Sequence, residues 1–129
     1  MPLLRIDVIK GRSEEELKTL LQAIHDAMVL SFRVPDRDRY QVLTEHDAGR
    51  MILEDTGLGF ERSHKTVLIH MTTRRRSEEE KQSFYRNLVQ SLEERCSVPP
   101  EDVVISCVEN SDADWSFGHG KAQFLTGEL

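Results

Sequence analysis

Residues 12–16 read Arg-Ser-Glu-Glu-Glu, and residues 76–80 repeat the same five letters 64 positions later. At the same spacing the pair 34–35, Val-Pro, falls on the pair 98–99, which is also Val-Pro. The matches lie at both ends of a helical segment, so a chance Ser-x-x-Glu coincidence does not account for them. The sequence therefore predicts an internal duplication of a unit of about 60 residues.

Each copy of this unit has the pattern of a strand, a helix and a second strand. In the first copy, residues 2–9 alternate apolar and polar side chains, as a half-buried strand does. Ser13, with Glu16 three residues later, forms a capping box that starts a helix, and Val34-Pro35 stops it. The second strand is predicted over residues 40–44.

The second copy predicts a strand over 66–73, a helix from Ser77 to about Cys96 and a strand over 102–109. Within a βαβ unit the two strands are parallel and the crossover is right-handed. The expected fold is α/β (α+β): two fused βαβ units related by a pseudo-two-fold axis, with a four-stranded mixed sheet and two helices on one face.

The 129 residues fit one domain. We divide residues 1–129 into a first repeat of about 2–46, an insert over 47–65, a second repeat of about 66–110 and a tail over 111–129. The insert contains Gly-Leu-Gly, which lacks the spacing of a phosphate loop and is interpreted as a turn. Aromatic residues in the tail are expected to cover an apolar surface.

Composition limits the possible functions. There are 17 Lys and Arg against 23 Asp and Glu, a formal charge of −6, so a partner such as nucleic acid or an anionic membrane is not expected. The first residues lack a signal-peptide pattern, and no apolar run reaches the roughly 20 residues of a membrane span. We therefore expect a cytoplasmic protein. The five histidines and two cysteines show no metal-ligand spacing, so no metal site is predicted.

Pro2 is the first candidate for chemistry. Methionine before a small residue is normally removed, and removal of Met1 would leave a secondary amine at the start of a strand. Such a group can act as a base when neutral, or polarise a carbonyl when protonated. Proline also follows methionine in many proteins without any role, so Pro2 alone decides nothing.

Arg74 and Arg76 are the second candidate. Side chains alternate along a strand, so these two arginines are expected to share a face with Arg75 opposed. Two guanidinium groups on one spot would bind a carboxylate. The alternative is a solvated basic turn beside the acidic start of the next helix.

The duplication links these candidates. A two-fold axis brings the start of one unit's first strand near the end of the other's, which would place Pro2 beside Arg74 and Arg76. The related position in the other half would pair Thr66 with Lys10 and Arg12, without an amine. Asp38 could orient Pro2 or activate water, although Asp102 at the equivalent position suggests a shared turn role instead.

The chain resembles the tautomerase superfamily, whose members use an amino-terminal proline. The resemblance rests on Pro2 behind Met1, on the βαβ duplication and on the paired arginines. Three further stretches are similar to its malonate semialdehyde decarboxylase subgroup. These are residues 34–40 (Val-Pro-Asp-Arg-Asp-Arg-Tyr), 54–60 (Glu-Asp-Thr-Gly-Leu-Gly-Phe) and 114–118 (Asp-Trp-Ser-Phe-Gly).

The resemblance implies roles for individual residues. Pro2 would be the catalytic proline, Asp38 the acidic residue beside it, and Arg74 and Arg76 the arginines that bind the substrate carboxylate. An apolar wall of the substrate site would be formed by Trp115, Phe117, Phe124 and Leu129. The related dehalogenases use a histidine near position 29, where this chain has Val29, so dehalogenation is disfavoured.

The implied activity is decarboxylation of malonate semialdehyde (3-oxopropanoate) to acetaldehyde and CO2, with no cofactor, in a homotrimer. The substrate would be a small carboxylate-bearing oxo acid. Protonated Pro2 could stabilise an enolate, or neutral Pro2 could form a Schiff base, and the sequence does not choose between them. Two alternatives stay open: a promiscuous tautomerase or hydratase acting on 2-oxo acids, and a non-catalytic oligomeric binding protein.

Overall fold

A computed structural model describes residues 2–129. Four strands and two long helices follow one another in the predicted order. The elements are β1 (Leu3–Ile9), α1 (Glu14–Phe32), β2 (Tyr40–His46), β3 (Val67–Arg74), α2 (Glu78–Cys96), β4 (Val103–Asn110) and a short helix α3 (Gln123–Thr126).

The four strands form one mixed sheet in the order β2-β1-β3-β4. Strands β1 and β2 are parallel, as are β3 and β4. The two units meet through β1 and β3, which run antiparallel with Leu3 opposite Thr72 and Val8 opposite Val67. This arrangement confirms the predicted pseudo-two-fold and the α+β fold.

Matching caps start the two 19-residue helices. The hydroxyl of Ser13 accepts the backbone N–H of Glu16 at 3.2 Å, and that of Ser77 accepts the N–H of Glu80 at 3.1 Å. Each glutamate side chain accepts in return from the backbone N–H of its serine. A capping box thus closes the N-terminus of both helices, as the sequence predicted. Helix α1 ends at Phe32, just before the predicted Val-Pro stop.

Both helices cover the same face of the sheet. Every second residue of β1 and β3 is fully buried beneath them, whereas the residues between are partly or wholly exposed on the other face. Phe32 and Phe84, one from each helix, bring their ring centroids to 5.0 Å in the core. The buried apolar strand residues are Leu4, Ile6, Val8, Val67, Ile69 and Met71, and Thr73 is buried at the end of β3.

The segments outside the two repeats form turns and short helices rather than strands. In the segment after β2, the Asp55 carboxylate accepts the backbone N–H groups of Gly57 and Gly59 at 3.1 and 3.0 Å, which makes this stretch a turn. The helix α3 in the tail was not predicted. Within residues 2–129, neither long helix has the apolar length needed to cross a membrane.

Candidate active site

The candidate site lies at the end of the sheet where β1 begins. Leu3 pairs with Tyr40 on β2 and with Thr72 on β3, so extending the register by one residue puts Pro2 between Arg39 and Thr73. Pro2 is buried although it precedes the strand. The predicted removal of Met1 concerns a residue outside the described range 2–129.

Asp38 is buried, and it directly precedes Arg39, the residue that the sheet register places beside Pro2. Its side chain lies in a turn that closes when the Asp38 N–H donates to the carbonyl oxygen of Pro35 at 2.9 Å. The residue is 4% exposed, and Oδ1 has no hydrogen-bond partner within residues 2–129. Burial raises the pKa of this carboxyl group, while the positive charges of Arg76 and Arg74 partly oppose the shift.

Arg76 reaches the same region from the loop after β3. Its Nε donates to the hydroxyl of buried Thr73 at 3.2 Å, and its backbone N–H donates to Oε2 of Glu109 at 2.9 Å. The guanidinium carbon lies 5.1 Å from the ring centroid of Phe32. Burial is the main reason that the pKa of Arg76 is lowered, although the group stays charged.

The reasoning from strand alternation was wrong for Arg76. Strand β3 ends at Arg74, so Arg76 belongs to the loop and its direction is set by Thr73 and Glu109 instead. Arg74 and Arg76 nevertheless act on the same carboxyl group, since the positive charge of each lowers the pKa of Asp38.

Arg74 is held on two sides. Its Nη1 donates to Oδ1 of Asp112 at 2.9 Å, and the ring of Phe124 covers the guanidinium carbon at 3.7 Å from the ring centroid. The Nε is buried and has no partner within residues 2–129. The side chain as a whole is 38% exposed, so its terminal N–H groups can donate to a carboxylate oxygen.

The tail aromatics form a continuous series beside this end of the sheet. Phe117 contacts Trp115 in a stacked arrangement at 5.3 Å and Phe124 edge-on at 5.4 Å, and it lies 5.7 Å from the ring of Tyr40. Leu129 is 60% exposed, and its backbone N–H donates to the carbonyl oxygen of Gln123 at 3.3 Å. The aromatic side chains thus provide an apolar border next to the arginines.

An open cleft of about 720 Å³ lies along the arginine loop. It is bordered by the loop after β3 and by the residues that follow β4. The lining residues are Arg74, Arg75, Arg76, Asn110, Ser111, Asp112, Ala113 and Leu125.

At the equivalent end of the other half, the matching residues have other hydrogen-bond partners. Asp102, which matches Asp38, is fully buried, and its carboxylate accepts both the backbone N–H and the hydroxyl of Ser63. Arg12, which matches Arg76, donates to the carbonyl oxygen of Lys65 at 2.9 Å. The carboxylate of Asp102 thus has hydrogen-bond partners on both oxygens, whereas Oδ1 of Asp38 has none within residues 2–129.

Several residues of this region were not selected from the sequence. Glu109 and Asp112 act on Arg76 and Arg74 through hydrogen bonds that depend on the loop after β3 and on the tail. Thr73 could have been found from the repeat pattern as the last buried residue of β3. Across residues 2–129, no three His, Cys, Asp or Glu side chains are arranged to hold a metal ion.

The chain is similar to known proteins over its whole length. Residues 2–61 and residues 38–118 match two family models that are both described as tautomerase enzyme. Probable tautomerase YrdN of Bacillus subtilis strain 168 is 52% identical over 129 residues, covering both chains completely. Probable tautomerase YusQ of the same strain is 34% identical over 126 residues, 97% of this chain and 99% of that one.

Solved structures agree with this similarity. A malonate semialdehyde decarboxylase, described with decarboxylase and hydratase activities, superposes with a TM-score of 0.96 at 53% identity and 98% coverage of both chains. The FG41 malonate semialdehyde decarboxylase inhibited by 3-bromopropiolate gives 0.95 at 45% identity, with 98% of this chain and 97% of that chain covered. A fused 4-OT symmetric trimer has the same fold at a TM-score of 0.79 and 21% identity, with 97% and 98% covered.

Proposed function

This chain belongs to the tautomerase family, and we propose that within it the protein decarboxylates malonate semialdehyde to acetaldehyde and CO2. The catalytic group is the secondary amine of Pro2, exposed once Met1 has been removed, and no cofactor takes part. The observation that carries the proposal is the convergence of a buried Pro2, an unsatisfied Asp38 carboxyl group and the Arg74–Arg76 pair at one end of the sheet.

The similarity to two decarboxylase structures favours decarboxylation among the possible reactions. The two decarboxylase structures match over nearly the entire chain at 53% and 45% identity, and their match includes the tail. The tail supplies the aromatic border and Asp112, which orients Arg74. A substrate with one carboxylate and one carbonyl group fits a site that has two arginines and one amine.

The mechanism depends on how the site stabilises the negative charge that develops on the substrate. Loss of CO2 from the β-oxo acid breaks the bond between the carboxylate carbon and the methylene carbon, and the electron pair passes to the carbonyl oxygen as an enolate. A protonated Pro2 beside that oxygen stabilises the charge most in the transition state, which raises kcat. Protonation of the enolate carbon then gives acetaldehyde. Arg74 and Arg76 hold the carboxylate so that the breaking bond lies perpendicular to the carbonyl plane.

A Schiff base is the competing route. Neutral Pro2 would add to the aldehyde and lose water to form an iminium ion, which then accepts the electron pair. Borohydride in the presence of substrate separates the two routes. A stable mass increase on the N-terminal peptide supports the iminium, and unchanged mass with normal turnover supports the protonated amine.

Tautomerisation or hydration of 2-oxo acids is the second candidate. The curated relatives are named tautomerases, and a similar structure is described with hydratase activity. The raised pKa of Asp38 suits a group that takes a proton from water or returns one during the reaction. The same residues serve both reactions, so substrate assays decide between them.

We propose a homotrimer as the assembly, because a protein of the same fold is a symmetric trimer. Strands β2 and β4 are open edges, and open edges favour association. Light scattering of the purified protein should give about three times the 14.9 kDa chain mass. A monomeric mass would refute this assembly without affecting the proposed chemistry.

The decisive experiment incubates the purified protein with malonate semialdehyde and measures acetaldehyde with a coupled dehydrogenase. Turnover should disappear when the Pro2 amine is blocked, and 3-bromopropiolate should inhibit. Phenylenolpyruvate ketonisation, measured in parallel, tests the tautomerase alternative. Absence of turnover in both assays, with no effect of changing Pro2, would instead favour a binding protein without catalysis.

A further inference from the structure

His25 is a buried histidine that the proposed reaction does not use. It lies in α1, is 1% exposed, and is the one histidine in the described part of the chain that is fully buried. Burying an imidazole ring without a partner is costly, so its hydrogen bonds need an explanation.

The imidazole of His25 contacts the turn before β2. Its Nε2 lies 2.7 Å from the carbonyl oxygen of Asp36 and 3.2 Å from the carboxylate of the same residue. A carbonyl oxygen only accepts hydrogen bonds, so Nε2 carries the proton and donates. Nδ1 is buried and lacks a partner within residues 2–129. The ring thus connects α1 to the turn through one well-defined contact.

This contact fixes the turn that carries Asp38. The N–H of Asp38 donates to the carbonyl oxygen of Pro35, so Asp36 is the second residue of a four-residue turn that ends at Asp38. Holding the carbonyl group of Asp36 fixes the peptide plane between the two ends of the turn. Because Asp38 is the last residue of the turn, the contact also holds its backbone relative to α1.

The second repeat forms the same turn without a histidine. The N–H of Asp102 donates to the carbonyl oxygen of Pro99, again at 2.9 Å. Val89 stands at the position of His25, and Pro100 stands at the position of Asp36. In that half the ring of Pro100 restricts the turn, and Ser63 holds the carboxylate of Asp102 directly.

The comparison of the two halves shows what His25 replaces. Asp102 is fully buried and its carboxylate accepts two hydrogen bonds, so it is held in place out of reach of a substrate. Asp38 has an unpartnered oxygen and needs another means of orientation. We propose that His25 is the positioning residue of Asp38, which holds the turn by the Asp36 carbonyl so that the carboxyl group itself stays free.

This inference rests on the proposed function, since it assigns Asp38 a role at the site. His25→Val copies the residue of the second repeat and removes the donor, whereas His25→Gln places an amide N–H near the position of Nε2. We expect His25→Val to lower kcat at least ~10-fold, part of the roughly 100- to 10,000-fold that a positioned acid or base contributes. KM should change less than ~3-fold, because the arginines that hold the carboxylate are untouched.

His25→Gln should recover most of the lost kcat. A purely structural role predicts a lower melting temperature with unchanged kcat per folded molecule, and that result would overturn the proposal. Equal loss in His25→Gln and His25→Val would overturn it as well. Should His25→Val not fold, His25→Gln is compared with His25→Asn, whose shorter amide does not reach the Asp36 carbonyl, and equal kcat in those two variants overturns the proposal.

A second measurement does not depend on turnover. Carboxyl ¹³C NMR should show the titration midpoint of Asp38 moved by at least ~0.5 pH unit in His25→Val relative to His25→Gln, because a displaced turn changes the burial of the carboxyl group while both variants lack the imidazole charge that lowers its pKa. An unmoved midpoint refutes the positioning role. A wild-type protein with no activity refutes the proposed function instead, so the two failures are distinguishable.

Val89→Ala provides the matched control. It truncates the side chain at the equivalent helix position in the second repeat, where the turn already has Pro100. We expect some loss of stability with kcat and the Asp38 titration unchanged. An equal effect of Val89→Ala on the Asp38 midpoint would mean that the shift reflects general loosening of the fold, and the proposal would fail.

Discussion

Asp112 and Arg74 form an ion pair in which Oδ1 accepts from Nη1 at 2.9 Å, and this contact leaves the Nε edge of the guanidinium group unused. The aspartate comes from the segment after β4, whereas the arginine ends β3. The tail thereby holds one terminal nitrogen of Arg74 in place. An interaction between residues 38 positions apart orients the proposed carboxylate site.

Replacing Asp112 should weaken substrate binding slightly. Both side chains are partly exposed, at 38% and 52%, and exposed ion pairs contribute about 0–1 kcal/mol. We therefore expect Asp112→Asn to raise KM by about 2- to 5-fold with little change in kcat. Asp47→Asn, which breaks the exposed Lys10–Asp47 pair elsewhere on the surface, is the control and should leave both constants unchanged. A KM for Asp112→Asn equal to that of the control would refute this prediction.

Removing either proposed carboxylate ligand should have a larger effect. A hydrogen bond to a charged group contributes about 1.5–3 kcal/mol, so Arg74→Ala or Arg76→Ala should lower kcat/KM by roughly 10- to 100-fold. Arg75→Ala is the matched control, since this exposed residue also lines the cleft but its side chain forms no hydrogen bond or ion pair within residues 2–129. Steady-state kinetics with malonate semialdehyde test this, and a comparable loss in Arg75→Ala would contradict the assignment.

Asp38→Asn should stabilise the protein and inactivate it. The folded-state pKa of Asp38 is raised above its unfolded value, so ionisation of this group disfavours folding once the pH rises through the folded-state pKa. A neutral amide avoids that penalty, and the melting temperature at pH 7 should rise. Turnover should fall by about 100-fold or more, in line with loss of a positioned acid or base. A lower melting temperature at pH 7, together with the same difference at pH 3, would show that the carboxyl group has a structural role.

The raised pKa of Asp38 also predicts how kcat/KM depends on pH. If ionised Asp38 is needed, the acid limb of kcat/KM should have its midpoint above the ordinary aspartate value of about 3.9, because burial raises the pKa. Activity should then rise with pH through that midpoint and fall again where Pro2 loses its proton. An acid limb that is unchanged in Asp38→Asn would assign the midpoint to another group.

Phe124→Ala should impair Arg74 through lost packing. The ring covers the guanidinium carbon at 3.7 Å, and such contacts contribute about 0.5–2 kcal/mol. We expect kcat/KM to fall between roughly 2- and 30-fold. Phe124→Leu keeps apolar cover without the ring face, so an equal loss in both variants would identify the aromatic face as the important element. Unchanged kinetics in Phe124→Ala would contradict the prediction.

The regular part of the fold could be predicted because the signals are local and occur twice. Ser13 and Ser77 specify helix starts through side chains three residues away, and alternation specifies which strand residues are buried. The site required more than local rules. The direction of Arg76 depends on Glu109, 33 residues further along, and no local pattern contains that relation.

The internal duplication predicted the arrangement of the site better than the alternation of residues along the strands did. The antiparallel pairing of β1 with β3 follows from the duplication, and it brings Pro2 beside Thr73. The contrast between Asp38 and Asp102 could not be read from the repeat, because the two aspartates are the same residue type at matching positions. They differ through Ser63, which belongs to a segment outside both repeats.

Strand β1 lies between two neighbours in the sheet, so the residue that leads into it is enclosed. A peptide bond to the nitrogen of Pro2 would turn the proposed amine into an amide, which neither takes up a proton near neutral pH nor attacks a carbonyl group. An affinity tag on that side would therefore remove the proposed catalyst even if it left the fold intact. Recombinant protein for kinetics should therefore carry its tag after Leu129, whose side chain is exposed.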